Sequence, residues 1–389
     1  MSEVRVNNLS NENNTGGPTI SGITTYSGKH FFVPPQGDTA SRPSDCEPGS
    51  LRFNTDTAHL EYFRGDTIGW TEIEAELTAP LGGGTGSNAG LGDRGVVFGG
   101  HTSGIVNTME FITISTLGNS QDFGDLATAA SRGGSLSSRT RGLRGGGRTP
   151  SAINTIEFIT ISSTGDATNF GDLNYTPTFP APMANQTRGI WAGGYVPSNF
   201  DTIDYVTIAT TGDAQDFGNL SFARNRVSGC SSSTRGLILG GAVPSPSPFD
   251  EGGNMIDFIT IATLGDGQDF GDLSTSKFQN VSVSNATRAI IFGGRTQPNG
   301  DNNNVIDFIT IASLGNATDF GDDNGENGQA GVSSPTRAVR LGGRTYPADT
   351  NIIQFVEIAT TGDAQDFGDL TTACNNHSTG GASTGHGGL

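Results

Sequence analysis

The residue types best suited to chemistry occur here in sixfold copies, the opposite of what a catalytic centre requires. An arginine recurs at Arg94, Arg141, Arg188, Arg235, Arg288 and Arg337, and an acid recurs at Glu110, Glu157, Asp204, Asp257 and Asp307, with Gln354 in the sixth place. A guanidinium fork can clamp a carboxylate and nearby carbonyls at once. A reaction needs its groups once, so the repetition assigns both sets to the scaffold, as links between strands or between units. Unique candidates are sparse. His30, His59, His101, His377 and His386 include no pair at ligand spacing on one element, so no metal site assembles from them. Oxygen donors do crowd in the stretch from Asp322 to Gly328, where Asp322, Asp323 and Asn324 would meet a calcium ion, although the full spacing of a calcium loop is missing. No Gly-x-Ser-x-Gly elbow, phosphate loop or His-Glu-x-x-His pattern occurs, and the expectation is a protein without enzymatic activity.

The elements that must carry these residues are set by a repeat of about fifty residues. Its first landmark is a Gly-Gly pair closing a short apolar run, at Gly99-Gly100, Gly146-Gly147, Gly193-Gly194, Gly240-Gly241, Gly293-Gly294 and Gly342-Gly343. Its second is an Asp-Phe-Gly-Asp-Leu-like cluster with aromatics at Phe123, Phe170, Phe217, Phe270, Phe320 and Phe367. Four strands are expected per unit. Thr234–Leu239 reads as a buried strand, Met255–Ile261 as a second with apolar groups on both faces, and the cluster as a short third. The small-residue run Val227–Ser233 reads as a fourth strand, placed innermost where strands crowd an axis. Each unit can then bury its faces only against its neighbours, giving a six-bladed β-propeller over residues 93–389. The first unit lacks a small-residue strand and the last runs on past Ala373, so the C-terminal segment is expected to supply that strand and close the array.

Spacing separates a rigid part of the unit from a free one. From the second-strand aromatic to the cluster Phe the step is twelve in all six units, whereas from the second Gly to that aromatic it runs 11, 11, 11, 17, 14 and 12. That connection varies by far the most, and in a propeller all its copies emerge at one end. His101, Tyr195, Phe249, Asp250, Glu251, Arg295 and Tyr346 lie on or beside that end and are the candidate ligand contacts, by stacking or hydrogen bonding to a sugar or protein.

The first ninety residues differ. Residues 1–20 are polar and Asn-rich and read as a flexible or partner-ordered arm, residues 21–76 as a small β-hairpin attachment module, and residues 77–92 as a Gly-rich linker. Arg64-Gly65-Asp66 reads as a hairpin turn rather than an adhesion signal. Net charge is −18 with 59 glycines, so the field repels nucleic acid and anionic membranes while keeping a Gly-rich β protein in solution. No run is long enough to span a membrane and no signal-peptide core opens the chain, so synthesis in a cytosol is expected. Cys46, Cys230 and Cys374 are odd in number and widely spaced, which suits neutral thiols rather than a disulfide framework.

The unit running from Ser228 through Leu237-Ile238-Leu239-Gly240-Gly241 to Phe270-Gly271-Asp272-Leu273 resembles the kelch repeat of β-propellers. Its aromatics are mostly Phe, where kelch repeats carry Tyr and Trp, and the copper chemistry of kelch oxidases has no matching Tyr, His and Cys set. The Phe-Ile-Thr-Ile, Gly-Asp and Asp-Phe-Gly-Asp-Leu units of residues 93–389 also resemble repetitive virion proteins of tailed phages, particularly marine cyanophages. Residues 49–73 are similar to hairpin segments of phage fibre and appendage proteins. These resemblances imply a virion structural or host-recognition role: a tail fibre, tail-associated or capsid decoration protein, made in the host cytoplasm. Its N-terminal region would dock on other virion proteins and its propeller would meet a host glycan or surface protein, with no cofactor. A soluble carbohydrate- or protein-binding propeller is the alternative, and a glycan-processing enzyme a third reading. Oligomerisation is left open.

Overall fold

The computed structural model describes residues 34–57, 59–72, 94–243, 253–296, 300–345, 347–375 and 379–389. The expected arm and linker lie outside these. The chain divides into two compact units, Met1–Thr78 and Ala79–Leu389. All regular structure among the described residues is β.

In the first unit one four-stranded sheet runs in the order Gln36–Gly37, Leu51–Asn54, His59–Phe63 and Trp70–Glu72. The first pair is parallel and the other two antiparallel, so the module is a hairpin meander with one added edge strand. Glu61 is buried at its centre, where Arg42 and Asn54 donate to it, and the Arg42 contact holds its carboxyl below the usual range. Arg64 to Gly69 form the expected turn, with the Gly69 N–H donating to the Gly65 carbonyl at 2.8 Å.

The second unit contains six four-stranded antiparallel sheets of one design, a propeller-like arrangement. The sheet of the fourth repeat is representative: Ser228–Ser231, Arg235–Leu239, Met255–Thr260 and Gln268–Asp272 lie side by side in that order. Alternation on the second strand places Ile256 and Phe258 toward the fifth sheet, while Ile259 and Ile261 pack against the third. The twelve-residue step is explained by a cross-strand aromatic pair. Phe258 meets Phe270 edge-on at 6.1 Å, and the same contact recurs in every repeat at 5.9–6.1 Å.

Each apolar cluster in this unit is shared by two consecutive sheets, and one joins Val97, Ile112 and Ile114 of the first sheet to Val339, Ile353 and Phe367 of the last. Backbone links follow the same rule. The Gly315 N–H donates to the Phe270 carbonyl of the preceding sheet at 2.9 Å, and the Gly118 N–H of the first sheet does so to Phe367 of the last, also at 2.9 Å. This contact explains the invariant Gly of the cluster. A Cβ on Gly271, at φ +145°, would lie 2.6 Å from the Gly315 carbonyl oxygen.

The first sheet takes its small-residue strand from the other end of the chain: Ala382 pairs with Val96 and Ser383 with Gly95. The six small-residue strands, including Ala382–Ser383, all line one narrow cavity of about 40 Å³. Their serines tie one strand to the next. The hydroxyls of Ser231, Ser284 and Ser333 donate to the carbonyls of Ala184, Ser231 and Ser284 at 2.6–2.8 Å, and Ser137 donates to Ser383 at 2.9 Å. Only small side chains fit so close an approach. Cys230 sits in this wall, and burial pushes its thiol up to about 12, so it stays protonated and inert. His386 from the tail is partly buried in this wall, its ring Nε2 2.7 Å from the Ser137 carbonyl.

Candidate functional site: an arginine-lined basin

The recurring groups act as scaffold. Each repeat arginine donates to a backbone carbonyl in the following repeat, from Arg94 to Ile161 at 2.9 Å through to Arg337 on Ile114 of the first repeat at 3.1 Å. Its guanidinium lies 4.5–4.9 Å from the second-strand aromatic of its own repeat. Among the described residues only Arg337 of the six also reaches a carboxylate, Glu357 at 2.8 Å, so the fork works on carbonyls and π faces rather than on acids. The recurring acids instead reach back to the loop after the preceding outer strand. Asp204 accepts from the Asn174 backbone N–H at 2.7 Å, Asp257 from Ser221 at 3.1 Å and Glu110 from Thr371 of the last repeat at 3.0 Å. Burial raises the Asp204 carboxyl, and the Asn174 contacts oppose it.

A different set of side chains converges at the variable-loop end. The residue that follows each Gly-Gly pair bridges to the stretch before the small-residue strand of the same sheet, as in Ser131 with Arg148, Thr178 with Tyr195 and Asn327 with Arg344. One or two residues into that stretch stand Arg132, Phe179, Arg226 and Gln279, at φ of 63°, 55°, 54° and 54°. This left-handed conformation is costly for any residue other than glycine. It lets the Phe179 N–H reach the Arg132 carbonyl at 2.7 Å and the Gln279 N–H reach Arg226 at 3.0 Å.

The result is a basin of two lobes, of about 360 Å³ and 260 Å³, that share Arg132, Phe179 and Arg226. Arg148 and Tyr195 line the first lobe with Asn225; Arg295 and Arg344 line the second with Gln279, Asn302, Asn327 and Asn375. Five of the chain's 21 basic residues thus face one basin, and among the described residues no acid lines it. Among the described residues, no carboxylate pairs with Arg132, Arg148, Arg226 or Arg295, while Arg344 has Asp349 at 3.7 Å. Instead Arg132 lies over Phe179 at 5.3 Å, and Arg226 and Arg295 lie over Phe278 at 5.5 and 5.9 Å. Burial lowers the pKa of Arg132, and repulsion from Arg148 and Arg226 adds to it; burial and then Arg295 do the same to Arg226. Beneath the first lobe Arg144 is fully buried with Nε and Nη2 lacking hydrogen-bond partners, and burial lowers its pKa to about 10. Its guanidinium lies against Gly133 and Gly147, the chain neighbours of Arg132 and Arg148. Such a pocket is chemically an anion receptor.

Of the ligand contacts expected from sequence, Tyr195 and Arg295 line the basin, and Tyr195 is 45% exposed. His101 occupies the matching loop position in the first repeat, where its backbone pairs with Asn375, but it does not line either lobe. Phe249, Asp250, Glu251 and Tyr346 lie outside the described residues. Arg132, Arg148, Arg226 and Arg344 were not among the expected contacts. Two of them follow a Gly-Gly pair directly, a signal equal to the one that marks Arg295; the other two stand where the remaining repeats carry Phe, Gln or Gly.

The oxygen-rich stretch is served by an internal cation. Arg340 lies 3.7 Å from Asp323 and in direct contact with Glu326, and burial lifts the Asp323 carboxyl to about 6 against the pull of Arg340. Asp322 is on the outer strand, where its backbone N–H is taken by Asp363. Among the described residues no group of three His, Cys, Asp or Glu side chains converges to hold a metal ion. No protein-family model matches the chain, and no curated protein does so either.

Proposed function

We propose that this chain is a non-enzymatic virion protein of a tailed bacteriophage, a tail-associated or decoration component whose kelch-like, six-bladed propeller presents its variable-loop end to a host surface or partner. Closure of the six sheets into one ring is part of this reading. It is supported by the Ala382–Ser383 strand in the first sheet and by the apolar cluster shared between the last and first sheets. The observation that carries the binding function is the basin itself: five guanidinium groups gathered in a protein of net charge −18, four of which, Arg132, Arg148, Arg226 and Arg295, pair with no carboxylate among the described residues. Like charges brought together raise the energy of the free fold, and such an arrangement is retained where a ligand supplies the missing charge.

The absence of catalysis is supported by the state of the buried carboxylates. Asp204, Asp257, Glu110 and Asp307 are engaged by backbone, hydroxyl or lysine donors between sheets, and Glu157 and Asp323, whose carboxyls burial raises, are buried beside the guanidinium groups of Arg144 and Arg340 and line neither lobe of the basin. The virion placement rests on the resemblance of the repeats and of residues 49–73 to phage appendage proteins. Residues 34–72 form a sheet of their own, suited to dock on other virion proteins. Immunogold electron microscopy and mass spectrometry of purified particles should find the protein on the virion. Particles lacking it, alongside free protein that binds host glycans, would point to a soluble binding propeller instead.

A further inference from the structure

We infer that the two-lobed basin is a binding site for an acidic saccharide, whose carboxylate or sulfate ester is held between Arg132 and Arg226 while the sugar ring rests on Tyr195. The inference rests on the reading of this end as the binding face and names the ligand that the chemistry there selects.

The charges call for an anion and the geometry for an anionic group on a larger molecule. Arg132 and Arg226 are shared by both lobes, so a single carboxylate or sulfate can sit between two planar forks with a residue of the ligand extending into each lobe. The lobes, about 360 and 260 Å³, match sites for small organic ligands rather than for a bare ion. The other lining groups are polar and aromatic. The amides of Asn225, Asn302, Asn327 and Asn375 are fixed in a hydrogen-bond network with Asn199, Arg344 and Asp349, which gives the walls a polar surface suited to hydroxyls, and Tyr195 offers a 45% exposed aromatic side chain. A nucleic acid would bring phosphates along a stretch of chain, and the net charge of −18 outside the basin would repel them.

The test is calorimetric titration of the full chain with four probes: an oligogalacturonate, a sulfated galactan oligosaccharide, the neutral galactan and inorganic sulfate. The expected result is binding of at least one acidic oligosaccharide about tenfold or more tighter than both the neutral sugar and free sulfate. Which acidic probe wins identifies the anionic group. R132Q and R226Q should each weaken that binding about tenfold or more with unchanged melting behaviour, and Y195A should weaken the oligosaccharide while leaving sulfate unaffected. The inference is overturned if the neutral sugar binds equally well, if the Arg variants bind like wild type, or if polyglutamate or single-stranded DNA competes as strongly as the sugar. Failure here with the protein still present on particles would remove only the ligand assignment; saccharide binding by a protein absent from particles would remove only the virion placement.

Discussion

Arg235 illustrates how much of the chemistry in this chain is structural. Its guanidinium donates to the Ile311 carbonyl at 2.7 Å and stacks at 4.5 Å on Phe258, so Arg235→Ala removes a charge-assisted hydrogen bond and a cation–π contact. The expected loss is about 1–3 kcal/mol in urea unfolding, larger than for Arg235→Lys, which keeps the charge but not the planar stack. By contrast Arg226→Gln should change stability little, because relief of a buried charge and of repulsion from Arg295 offsets the loss of its stack on Phe278. His386 supplies a pH signature. Its partly buried site holds the imidazole at about 4, below the ordinary 6.5, by loss of hydration, so the unfolded chain takes up the proton first as pH falls. Stability should drop by up to about 3 kcal/mol between pH 6.5 and 4 and level off below, and His386→Gln should lose that part of the pH dependence. Identical pH profiles for the two proteins would contradict the assignment. The recurrence of the arginines was legible in the sequence. Their acceptors were not, because a backbone carbonyl leaves no mark on residue identity; Arg132 and Arg226 escaped notice for a related reason, as their left-handed position is filled by Arg, Phe, Gln or Gly in different repeats.

At the level of elements, the repeat fixes which positions tolerate a side chain. Gly271 and Gly315 have the same backbone conformation, φ +145° and +150°, but a Cβ on Gly271 would collide with the next sheet's backbone, whereas one on Gly315 would meet open space. Gly271→Ala should therefore destabilise by about 3 kcal/mol or more, and Gly315→Ala only by the strain of its backbone, about 1–2 kcal/mol, in the same unfolding assay. Equal losses would mean that the sheets do not approach as closely as described. The strands themselves could be read from periodicity, since the twelve-residue step fixes the aromatic pair and the alternation around Phe258 requires apolar neighbours on both sides. The small-residue strand was legible from composition, and its serine ladder adds the physical reason: a larger residue at Ser231 or Ser284 would break a hydrogen bond and separate the strands. Less legible was the edge strand Gln36–Gly37, two residues long and parallel to its neighbour, because so short an element carries no pattern.

At the scale of the whole molecule the proposed ring depends on the Ala382–Ser383 strand, which pairs with the inner edge of the first sheet. Removing residues 380–389 takes away the Ala382–Ser383 strand, the Ser137 contact to Ser383 and the His386 plug together. The shortened protein should lose its single sharp thermal transition and self-associate through the bared Arg94–His101 strand, as sedimentation would show. Its acidic saccharide binding should fall as well, because Asn375, which lines the second lobe, loses the strand that follows it. The most direct measurement is a crystal structure of the full chain. The account predicts six sheets around one axis, with Ala382 beside Val96 and the guanidinium groups of Arg132 and Arg226 facing one basin; a linear stack, another number of sheets, or a C-terminal strand paired elsewhere would contradict it.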